Sequence, residues 1–498
     1  MTRSGHEYIE GIRDGRQVYI DGELVSDVTT HPAFREAVQS IANLYDIAND
    51  PANRELMTYD SPKTGEPVNR AFTIPRSRED LVLRRKAIRR WAESTFGLMG
   101  RGPDHVAGFL AAFASAPGVF ARHGQRFADN VVRFYEHVRD NDLYVTYVIV
   151  PPQIDRSKPA HQQEDPHLYA GVSEEHEDGI VIKGAQMLGT GAAISDYVLL
   201  SCIHPLRPGD ENYAISVAVP ISAPGLKTYS RRSYSESATS VFDYPLSSRF
   251  DETDSFLVFD DVFVPWENVF VYKDVNVVRS QFFETPAHVL GNNQAQIRFW
   301  IKLEFLTGLA KRVAEMNGVD ALPPVQGALG ELAAHAAIVE GLVRAQEANC
   351  EVDSNGTAWP GKAELYANMT LQPHIYSKML NMVRDLSGGG LIQLPSSHAD
   401  FKNPSIAADL NRYVQSPGTP SQERVKLMKL VWDIVGSEFA SRHHQYEMFY
   451  AGAPFVVKGH MYRNYDFDGA KALVESALSG YDLEGRKDLA TERDLAGR

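Results

Sequence analysis

The sequence predicts an α+β protein in which an antiparallel β domain lies between two mainly helical domains. Apolar residues recur at helix spacing before residue 145 and again after residue 285. Between these regions, short β-branched runs alternate with Gly, Pro, Asn and Asp, a pattern typical of antiparallel strands. The 498 residues have room for about three domain-sized units. We therefore predict an N-terminal helical domain (1–145), a central β-barrel domain (146–284) and a C-terminal helical bundle (285–498).

The N-terminal region contains a predicted hairpin followed by helices. Residues 17–20 (Gln-Val-Tyr-Ile) precede Asp21 and Gly22, a typical hairpin turn. Ser77 is a predicted N-cap, and Pro103 suits the first turn of a later helix. The predicted helices lie near residues 34–44, 78–96, 106–113 and 124–139.

Residues 142–156 form the predicted exit from helical into extended chain. Residues 145–150 are apolar and mostly β-branched, and Pro151 and Pro152 then remove two backbone donors. Chain that leaves a helix beside an apolar wall, with free backbone groups, can bind a flat polar ligand. A plain domain boundary is the alternative interpretation.

The central region is predicted from short strands near residues 179–182, 197–200, 213–219 and 255–259. Between two of them, residues 204–212 form a polar loop with Pro and Gly that could act as a lid. Helix-period positions then return at residues 297–316, 325–349, 363–385, 422–450 and 468–478. Residues 387–390 (Ser-Gly-Gly-Gly) predict a turn that a ligand can approach, or simply a helix C-cap.

Composition excludes several classes of function. Fifty basic and 64 acidic residues give a net charge of −14, which disfavours nucleic acid and anionic membranes as partners. Two cysteines cannot form a disulfide framework, an iron–sulfur site or a zinc site built on several thiolates. The N-terminus has no apolar run and no stretch has the length of a membrane span, so we expect a cytoplasmic protein.

Two further sequence patterns bear on whether the chain has a dinucleotide-binding domain or a metal site. No Gly-x-Gly-x-x-Gly follows a strand, so a Rossmann domain is not supported. His443 and His444 with Glu447 could suggest a metal. On a helix, only His443 and Glu447 form an i,i+4 pair, and no third ligand for that pair lies nearby. We predict no metal there and favour a solvated or interface histidine pair.

Several strings, in family order over most of the chain, resemble the oxygenase component of two-component flavin monooxygenases, in the 4-hydroxyphenylacetate 3-hydroxylase group. Any single string is weak, and together they are specific for the family but not for one substrate. The strings are residues 99–104 (Met-Gly-Arg-Gly-Pro-Asp), 152–156 (Pro-Gln-Ile-Asp-Arg), 184–191 (Gly-Ala-Gln-Met-Leu-Gly-Thr-Gly), 244–249 (Tyr-Pro-Leu-Ser-Ser-Arg), 264–270 (Val-Pro-Trp-Glu-Asn-Val-Phe), 425–432 (Val-Lys-Leu-Met-Lys-Leu-Val-Trp) and 436–439 (Gly-Ser-Glu-Phe).

The resemblance implies an acyl-CoA dehydrogenase-like fold, usually in a homotetramer. It implies that FAD arrives reduced, as FADH2, from a separate NAD(P)H-flavin reductase. The reduced flavin would react with O₂ to form a C4a-hydroperoxide, whose distal oxygen is transferred to a phenol ortho to its hydroxyl. Which phenol is hydroxylated is not implied.

The resemblance also implies catalytic residues. Arg101 matches an arginine beside the phenol oxygen, where a cation favours the phenolate. The hydroxyphenylacetate enzymes have tyrosine at the position of His105 and histidine at that of Tyr147, so the two residue types are exchanged here. His105, with an ordinary pKa near 6.5, could take or share the phenolic proton, and Tyr147 could supply a second hydrogen bond. A helix-start role for His105 and core packing for Tyr147 are the alternatives.

For the flavin, the resemblance implies contacts from Thr190 near the N5 edge and from Pro152 and Gln153 along the isoalloxazine wall. Residues Ser387, Gly388 and Gly389 would approach the dinucleotide portion, from the same or a neighbouring subunit. For Thr190, an ordinary turn is the alternative.

Three other functions remain as rivals at this point. The fold also carries acyl-CoA dehydrogenases, which need a carboxylate base over the flavin. It carries 4-hydroxybutyryl-CoA dehydratases, whose iron–sulfur cluster needs more cysteines than this chain has. A non-catalytic flavin-binding scaffold is the third, favoured only by the exchange at positions 105 and 147.

Overall fold

The computed structural model describes residues 2–486, and its first region is mainly helical as predicted. Ser77 caps its helix through a reciprocal bond with Asp80, and Pro103 occupies the first turn of another. Both local predictions are confirmed. The helices are α1 (Gly5–Gly11), α2 (Arg35–Asn49), α3 (Arg54–Met57), α4 (Arg78–Ser94), α5 (Pro103–Ser115), α6 (Gly118–Ala121) and α7 (Gln125–Asp140). The short strands are β1 (Gln17–Ile20), β2 (Glu23–Leu24), β3 (Thr58–Asp60) and β4 (Pro67–Asn69).

The central region forms two sheets. The strands of this region are β5 (Val145–Val148), β6 (Gly171–Glu175), β7 (Gly179–Thr190), β8 (Tyr197–Leu200), β9 (Ser216–Pro220), β10 (Leu226–Ser230), β11 (Asp254–Pro265) and β12 (Val269–Val271), with helix α8 (Ser247–Phe250) between β10 and β11. The larger sheet has the strand order β2-β1-β10-β11-β7-β6, and the smaller sheet has the order β12-β9-β8-β5.

Most strand pairs are antiparallel, but two are parallel. The predicted hairpin is present, with Asp21 and Gly22 at φ 50° and 84°. Its strand β1 also pairs in parallel with β10, which joins the N-terminal region to the larger sheet. Strand β5 pairs in parallel with β8. Neither long-range pairing follows from local sequence pattern, and the predicted domain boundaries stay a prediction.

The C-terminal region is a helical bundle. Helix α10 begins at Ala287, ten residues before the helix that the apolar pattern predicted. The polar side chains within residues 292–296 are buried, and they hydrogen-bond to other parts of the protein, such as Asn293 to Gln346 and Gln296 to Gln372. The helices are α9 (Val277–Phe283), α10 (Ala287–Met316), α11 (Pro323–Ala348), α12 (Lys362–Ser387), α13 (Pro404–Tyr413), α14 (Ser421–Val435), α15 (Glu438–Phe449), α16 (Pro454–Asn464) and α17 (Phe467–Ser479). Two small hairpins pair β13 (Glu351–Val352) with β14 (Ala358–Trp359), and β15 (Tyr481–Asp482) with β16 (Gly485–Arg486).

The single helix predicted at residues 422–450 is wrong. Helix α14 ends before Gly436, and Ser437 then caps α15 by accepting a hydrogen bond from the backbone N–H of Ala440 at 3.0 Å. A Cβ at Gly436 would collide with the ring of Trp432. The break redirects α15 so that it packs against α12.

The regions meet at the first turn of α5, where α10 and strand β5 pack against this helix. None of the helices within residues 2–486 combines the length and apolar character that a membrane crossing requires.

Candidate active site

The turn that carries Arg101 is held from two sides. Gly100 is required because a Cβ there would collide with the hydroxyl group of Tyr446. The carboxylate of Glu252 accepts a hydrogen bond from the backbone N–H of Arg101 at 2.6 Å. The Tyr144 hydroxyl donates to the carbonyl of Arg101. The side chain therefore leaves a fixed backbone just before α5 begins.

The Arg101 guanidinium lies between two aromatic rings. Its central carbon is 4.7 Å from the ring centre of Tyr147 and 4.1 Å from that of Tyr450. One terminal nitrogen contacts Nε2 of His105, and the other donates to the Tyr450 carbonyl at 3.3 Å. A guanidinium has five N–H donors, so this half-buried cation keeps donors for a ligand.

His105 is a buried, neutral imidazole. Burial and the adjacent Arg101 hold its pKa well below 6.5. Its Nδ1 lies 3.0 Å from Oε1 of Gln294, so Nδ1–H donates there and Nε2 accepts from Arg101. The expectation of an ordinary pKa near 6.5 is therefore wrong for this ring. Its observed contacts orient Arg101.

Tyr147 lies on β5 beside His105. Their ring centres are 5.3 Å apart, so the two positions with exchanged residue types are in contact. Burial raises the pKa of Tyr147, and the charge of Arg101 opposes that shift. The phenol of Tyr147 is therefore protonated near neutral pH and can donate a hydrogen bond.

A chain of charged groups links Thr190 to the turn at Arg101. Thr190 donates through Oγ1 to Asp254 at 2.7 Å. Arg442 donates to both Asp254 oxygens, at 2.6 and 2.9 Å. It also reaches Glu252 at 3.4 Å, and Glu252 is the group that holds the backbone of Arg101. Arginines thus neutralise both carboxylates, so neither is a free base.

A second buried charge cluster lies behind Tyr450. Glu447, fully buried, accepts hydrogen bonds from Arg298 at 2.8 and 2.9 Å and from Lys302 at 2.6 Å. The Arg298 guanidinium is 4.9 Å from the Tyr450 ring centre. This cluster supports the wall that faces Arg101.

His443 belongs to this cluster and is not solvated, contrary to the sequence-based interpretation. It is fully buried and contacts Lys302 at 3.1 Å, and burial together with that cation lowers its pKa. His444 is partly exposed and contacts Ser377 at 2.7 Å. Among residues 2–486, no group of three His, Cys, Asp or Glu side chains is placed to bind a metal.

A cavity of 780 Å³ lies between the central sheets and the helical bundle. Pro152 and Gln153 form part of one wall, and residues 451–456 at the α15–α16 junction form part of another. Arg101, His105, Tyr147 and Thr190 are not among the residues that line this cavity. The lining comes near them along the chain at Val150, just after β5, and at Ala451, which follows the Arg101 contact Tyr450. Arg101, His105 and Tyr147 thus form one contacting group, and Pro152 and Gln153 line the cavity.

The cavity residues fit the flavin that the sequence resemblance implies. Gln186 lines the cavity, and its buried Oε1 has no hydrogen-bond partner within residues 2–486, so it is available to a ligand N–H. In a chain of net charge −14, the lining is mainly basic, which suits a pyrophosphate. The charged lining residues are Arg156, Lys158, Arg207, Arg279 and Arg463, with Asp210 as the acid.

The loop at residues 204–212, the predicted lid, lies at the cavity. His204, Arg207 and Asp210 line it. Asp210 is buried and accepts hydrogen bonds from the backbone of Arg207 at 2.8 Å and from that of His161 at 2.8 Å. Asp210 therefore holds the backbone of this loop in place beside the cavity.

Ser387, Gly388 and Gly389 lie away from this region in the single chain. Tyr366, near the start of α12, stacks on the cavity residue His460. Ser387 ends the same helix, about 30 Å farther on at a rise of about 1.5 Å per residue. Gly388 and Gly389 are exposed there.

Sequence reasoning missed Tyr450, Gln294, Glu252 and Arg442. Tyr450 and Arg442 follow the break at Gly436, which the apolar pattern did not indicate. Gln294 lies in the polar part of α10 that the pattern left out. Buried polar residues have no periodic signal of their own, although a polar run directly before a strong helix is a usable hint.

Comparisons with known proteins agree with the site. A family model described as the 4-hydroxyphenylacetate 3-hydroxylase N terminal matches residues 4–271, and one for the C terminal matches residues 278–479. The chain is 36% identical over 492 residues to the 4-hydroxyphenylacetate 3-monooxygenase oxygenase component of Pseudomonas aeruginosa, covering 97% of this chain and 94% of that protein.

Two more relatives widen the comparison. The 4-nitrophenol 2-monooxygenase oxygenase component of a Rhodococcus species is 36% identical, covering 99% of this chain and 95% of that protein. A crystal structure of a 4-hydroxyphenylacetate 3-monooxygenase oxygenase component with FAD and 4-hydroxyphenylacetate is 34% identical. It has a TM-score of 0.91 and covers 96% of this chain and 98% of its own.

Proposed function

Because the chain belongs to the 4-hydroxyphenylacetate 3-hydroxylase family, we propose a reaction in which it hydroxylates a phenol ortho to the phenol's own hydroxyl group. The chain has an acyl-CoA dehydrogenase-like fold and is the oxygenase component of a two-component flavin monooxygenase. Its cofactor is FAD, used in reduced form with O₂, and a separate reductase is its partner. Bound reduced FAD supplies the activated oxygen.

The observation that carries the proposal is the Arg101 cation held between Tyr147 and Tyr450. Its remaining N–H donors would bind the phenol oxygen and favour the phenolate. A phenolate ring is richer in electrons at the ortho carbon, which the oxygen attacks. Because the site is shielded by aromatic rings, the charge acts with little screening by water.

His105 and Tyr147 would act with Arg101 in different ways. His105 accepts from the guanidinium, so it orients the cation and does not remove the phenolic proton itself. Tyr147 is protonated and would donate a second hydrogen bond to the phenolate oxygen. The exchanged residue types thus keep one donor and one acceptor at the site.

On the flavin side, Pro152, Gln153 and Thr190 would hold the ring system, and Gln186 would accept from a ring N–H. Support comes from the free oxygen of Gln186 and from the wall shared with Pro152 and Gln153. Arg156, Lys158 and Arg207 on the cavity lining would bind the pyrophosphate. Closure of residues 204–212 over the cavity would keep water from the reacting atoms.

The proposal includes a homotetramer and a cytoplasmic location. Large apolar side chains are exposed along α16 and α17, including Phe455, Tyr462 and Leu473 at 78%, 69% and 73% exposure. Such a surface suits burial against another copy of the chain. In that assembly, Ser387, Gly388 and Gly389 would approach the dinucleotide of a neighbouring subunit.

The variant Arg101→Ala tests this assignment. It should abolish hydroxylation while reduced FAD is still oxidised, because the arginine acts on the phenol. Loss of such a charge-assisted contact costs about 2–4 kcal/mol of barrier. The measurement is the ratio of catechol to H₂O₂, with reduced FAD supplied by an unrelated reductase. Arg35→Ala, which removes an exposed arginine paired with Glu36, is the control. Wild-type coupling in Arg101→Ala would remove this residue from the site.

A further inference from the structure

Asp104 is a buried acid beside the active site that has no part in the reaction as described so far. It is the second residue of α5, directly before His105, and it is only 6% exposed. Burial raises its pKa to about 6, while Gln294 and the buried Arg84 act in the opposite direction. Above about pH 7, Asp104 is therefore a carboxylate, which can only accept hydrogen bonds.

A cation supports this carboxylate from α4. Arg84 is fully buried, and a Cβ at Gly108, one turn after Asp104, would come within 2.6 Å of its Nη2. Residues four apart lie on the same face of a helix, so Arg84 faces the side of α5 that carries Asp104. Its Nη1 donates to Asn293 at 3.2 Å, but its Nε and Nη2 have no hydrogen-bond partner within residues 2–486. The charge of Arg84 therefore favours the ionised form of Asp104.

The Gln294 side chain lies between Asp104 and His105. Its Nε2 donates to the carbonyl of Gly100 at 3.5 Å, and its amide also hydrogen-bonds the Asp104 carboxylate. Both of these partners are acceptors, so Nε2 faces them and Oε1 points to the other side. There, Oε1 lies 3.0 Å from Nδ1 of His105 and 3.2 Å from the hydroxyl oxygen of Tyr450.

This orientation of the amide decides which nitrogen of His105 carries the proton. An acceptor opposite Nδ1 keeps the proton of the neutral ring on Nδ1, so Nε2 keeps its lone pair. Nε2 is the atom that contacts the Arg101 guanidinium, whose nitrogens can only donate. With the amide reversed, the ring proton would lie on Nε2 and would face Arg101 donor to donor. The guanidinium would then lose its position between Tyr147 and Tyr450.

We propose that Asp104 and Gln294 are positioning residues that fix the tautomer of His105 and thereby keep the Arg101 guanidinium aimed at the phenol oxygen. This inference rests on the proposed function, in which Arg101 acts on a phenol. Neither residue touches the reacting atoms, because both act through His105. The alternative role for Asp104 is a favourable charge at the start of α5, which would not depend on Gln294.

The ionisation of a bound dye tests the inference. The probe is 4-nitrophenol, whose phenolate absorbs at longer wavelength than its phenol, bound to the anaerobic protein with reduced FAD at pH 8. In the wild type, Arg101 should make the ratio of phenolate to phenol higher for the bound dye than for the free dye. Gln294→Leu and Asp104→Ala should each lower this ratio roughly tenfold, as expected when a hydrogen bond to a charged group is lost. The fraction of flavin oxidation that ends as H₂O₂ should rise in both variants.

A double-mutant cycle separates the two roles of Asp104. Asp104→Ala combined with Gln294→Leu should lower the dye ratio no further than Gln294→Leu alone, because both residues act along one path. Asp104→Asn keeps a carbonyl acceptor for Gln294, so it should restore most of the wild-type ratio. Gln294→Leu should have no effect on the ratio in a His105→Phe protein. Gln294→Leu leaves Asp104 beside Arg84, so it tests the inference even if Asp104→Ala destabilises the fold.

Gln296→Leu is the matched control, because Gln296 is a fully buried glutamine on the same helix α10 and donates to Gln372 instead of contacting the Arg101 group. It should leave the dye ratio unchanged, even where it lowers the midpoint of urea unfolding. A fall in the ratio as large as that in Gln294→Leu would show a general packing effect and overturn the inference.

Four other results would also overturn the inference. These are an unchanged dye ratio in Gln294→Leu, additive losses in the double variant, a full effect of Gln294→Leu in the His105→Phe protein, and a ratio in Asp104→Asn as low as that in Asp104→Ala. Failure of the proposed function would be distinct from these results. A wild type whose dye ratio responds to Arg101→Ala, but which hydroxylates no phenol, would contradict the proposed function and leave the positioning roles supported.

Discussion

Replacing Arg442 with Gln should destabilise the protein and loosen the site at once. Arg442 is almost fully buried and contacts Asp254 at 2.6 and 2.9 Å and Glu252 at 3.4 Å. Removing one partner from a buried ion pair costs about 3–5 kcal/mol. Arg231 still contacts Asp254 at 2.9 Å in the variant, so we expect the lower end, about 3 kcal/mol.

The assay is urea unfolding of wild type and Arg442→Gln under identical conditions. Arg35→Gln, at an exposed pair, should change the free energy of unfolding by less than about 0.5 kcal/mol. The pH dependence has a defined sign. The arginines, Arg442 first, hold the pKa of Asp254 below its usual value despite burial, so their stabilisation is present above about pH 4 and is lost on acidification. The difference between wild type and variant should therefore shrink below pH 4.

The functional readout separates positioning from folding. Glu252 holds the backbone of Arg101, so its release in Arg442→Gln should raise the KM for the phenol and the fraction of flavin oxidation that ends as H₂O₂. A purely structural role would lower the amount of active protein and leave both quantities unchanged. A loss of stability below 1 kcal/mol, or an unchanged KM and coupling in the folded variant, would contradict this role of Arg442.

Three other outcomes are expected. Hydrogen exchange in residues 204–212 should slow when flavin and a phenol bind, and unchanged exchange would make this loop a plain connector. His105→Gln should slow hydroxylation roughly tenfold without moving the acid limb of the pH profile, because the pKa of His105 is already well below 6.5; a shifted limb would show that His105 titrates. Glu447→Gln should lower the free energy of unfolding by about 3–5 kcal/mol, since Arg298 and Lys302 lose their buried carboxylate. The two cations hold the pKa of Glu447 at about 2 despite burial. The difference in unfolding free energy between wild type and variant should therefore be present above about pH 4.5 and fade as the pH falls toward 2. A loss below 1 kcal/mol in urea unfolding would contradict this role of Glu447.

Structural features that depend only on residues close together in the chain could be predicted from the sequence. The cap at Ser77, the proline at the start of α5 and the turn at Asp21 are local, and the structure contains all three. The helical, β, helical order also follows from periodicity. The parallel pairing of β1 with β10 could not be predicted in this way, because it joins segments about 200 residues apart.

The site was predictable only in part for the same reason. Motif resemblance pointed to Arg101, His105 and Tyr147, and their side chains are in contact. Tyr450 and Arg442 reach the site through the packing of α15, which no local pattern indicates. The charge state of His105 depends on burial and on the guanidinium beside it, and both are properties of the folded chain.

As a two-component monooxygenase, this chain transfers oxygen from O₂ to a phenol with reduced FAD delivered from outside. The direct test is a single turnover in which the anaerobic protein, one equivalent of reduced FAD and a phenol are mixed with ¹⁸O₂. We expect a catechol carrying one ¹⁸O atom, formed without NADH in the mixture. Flavin oxidation that yields only labelled H₂O₂, or a catechol whose new oxygen comes from water, would contradict it.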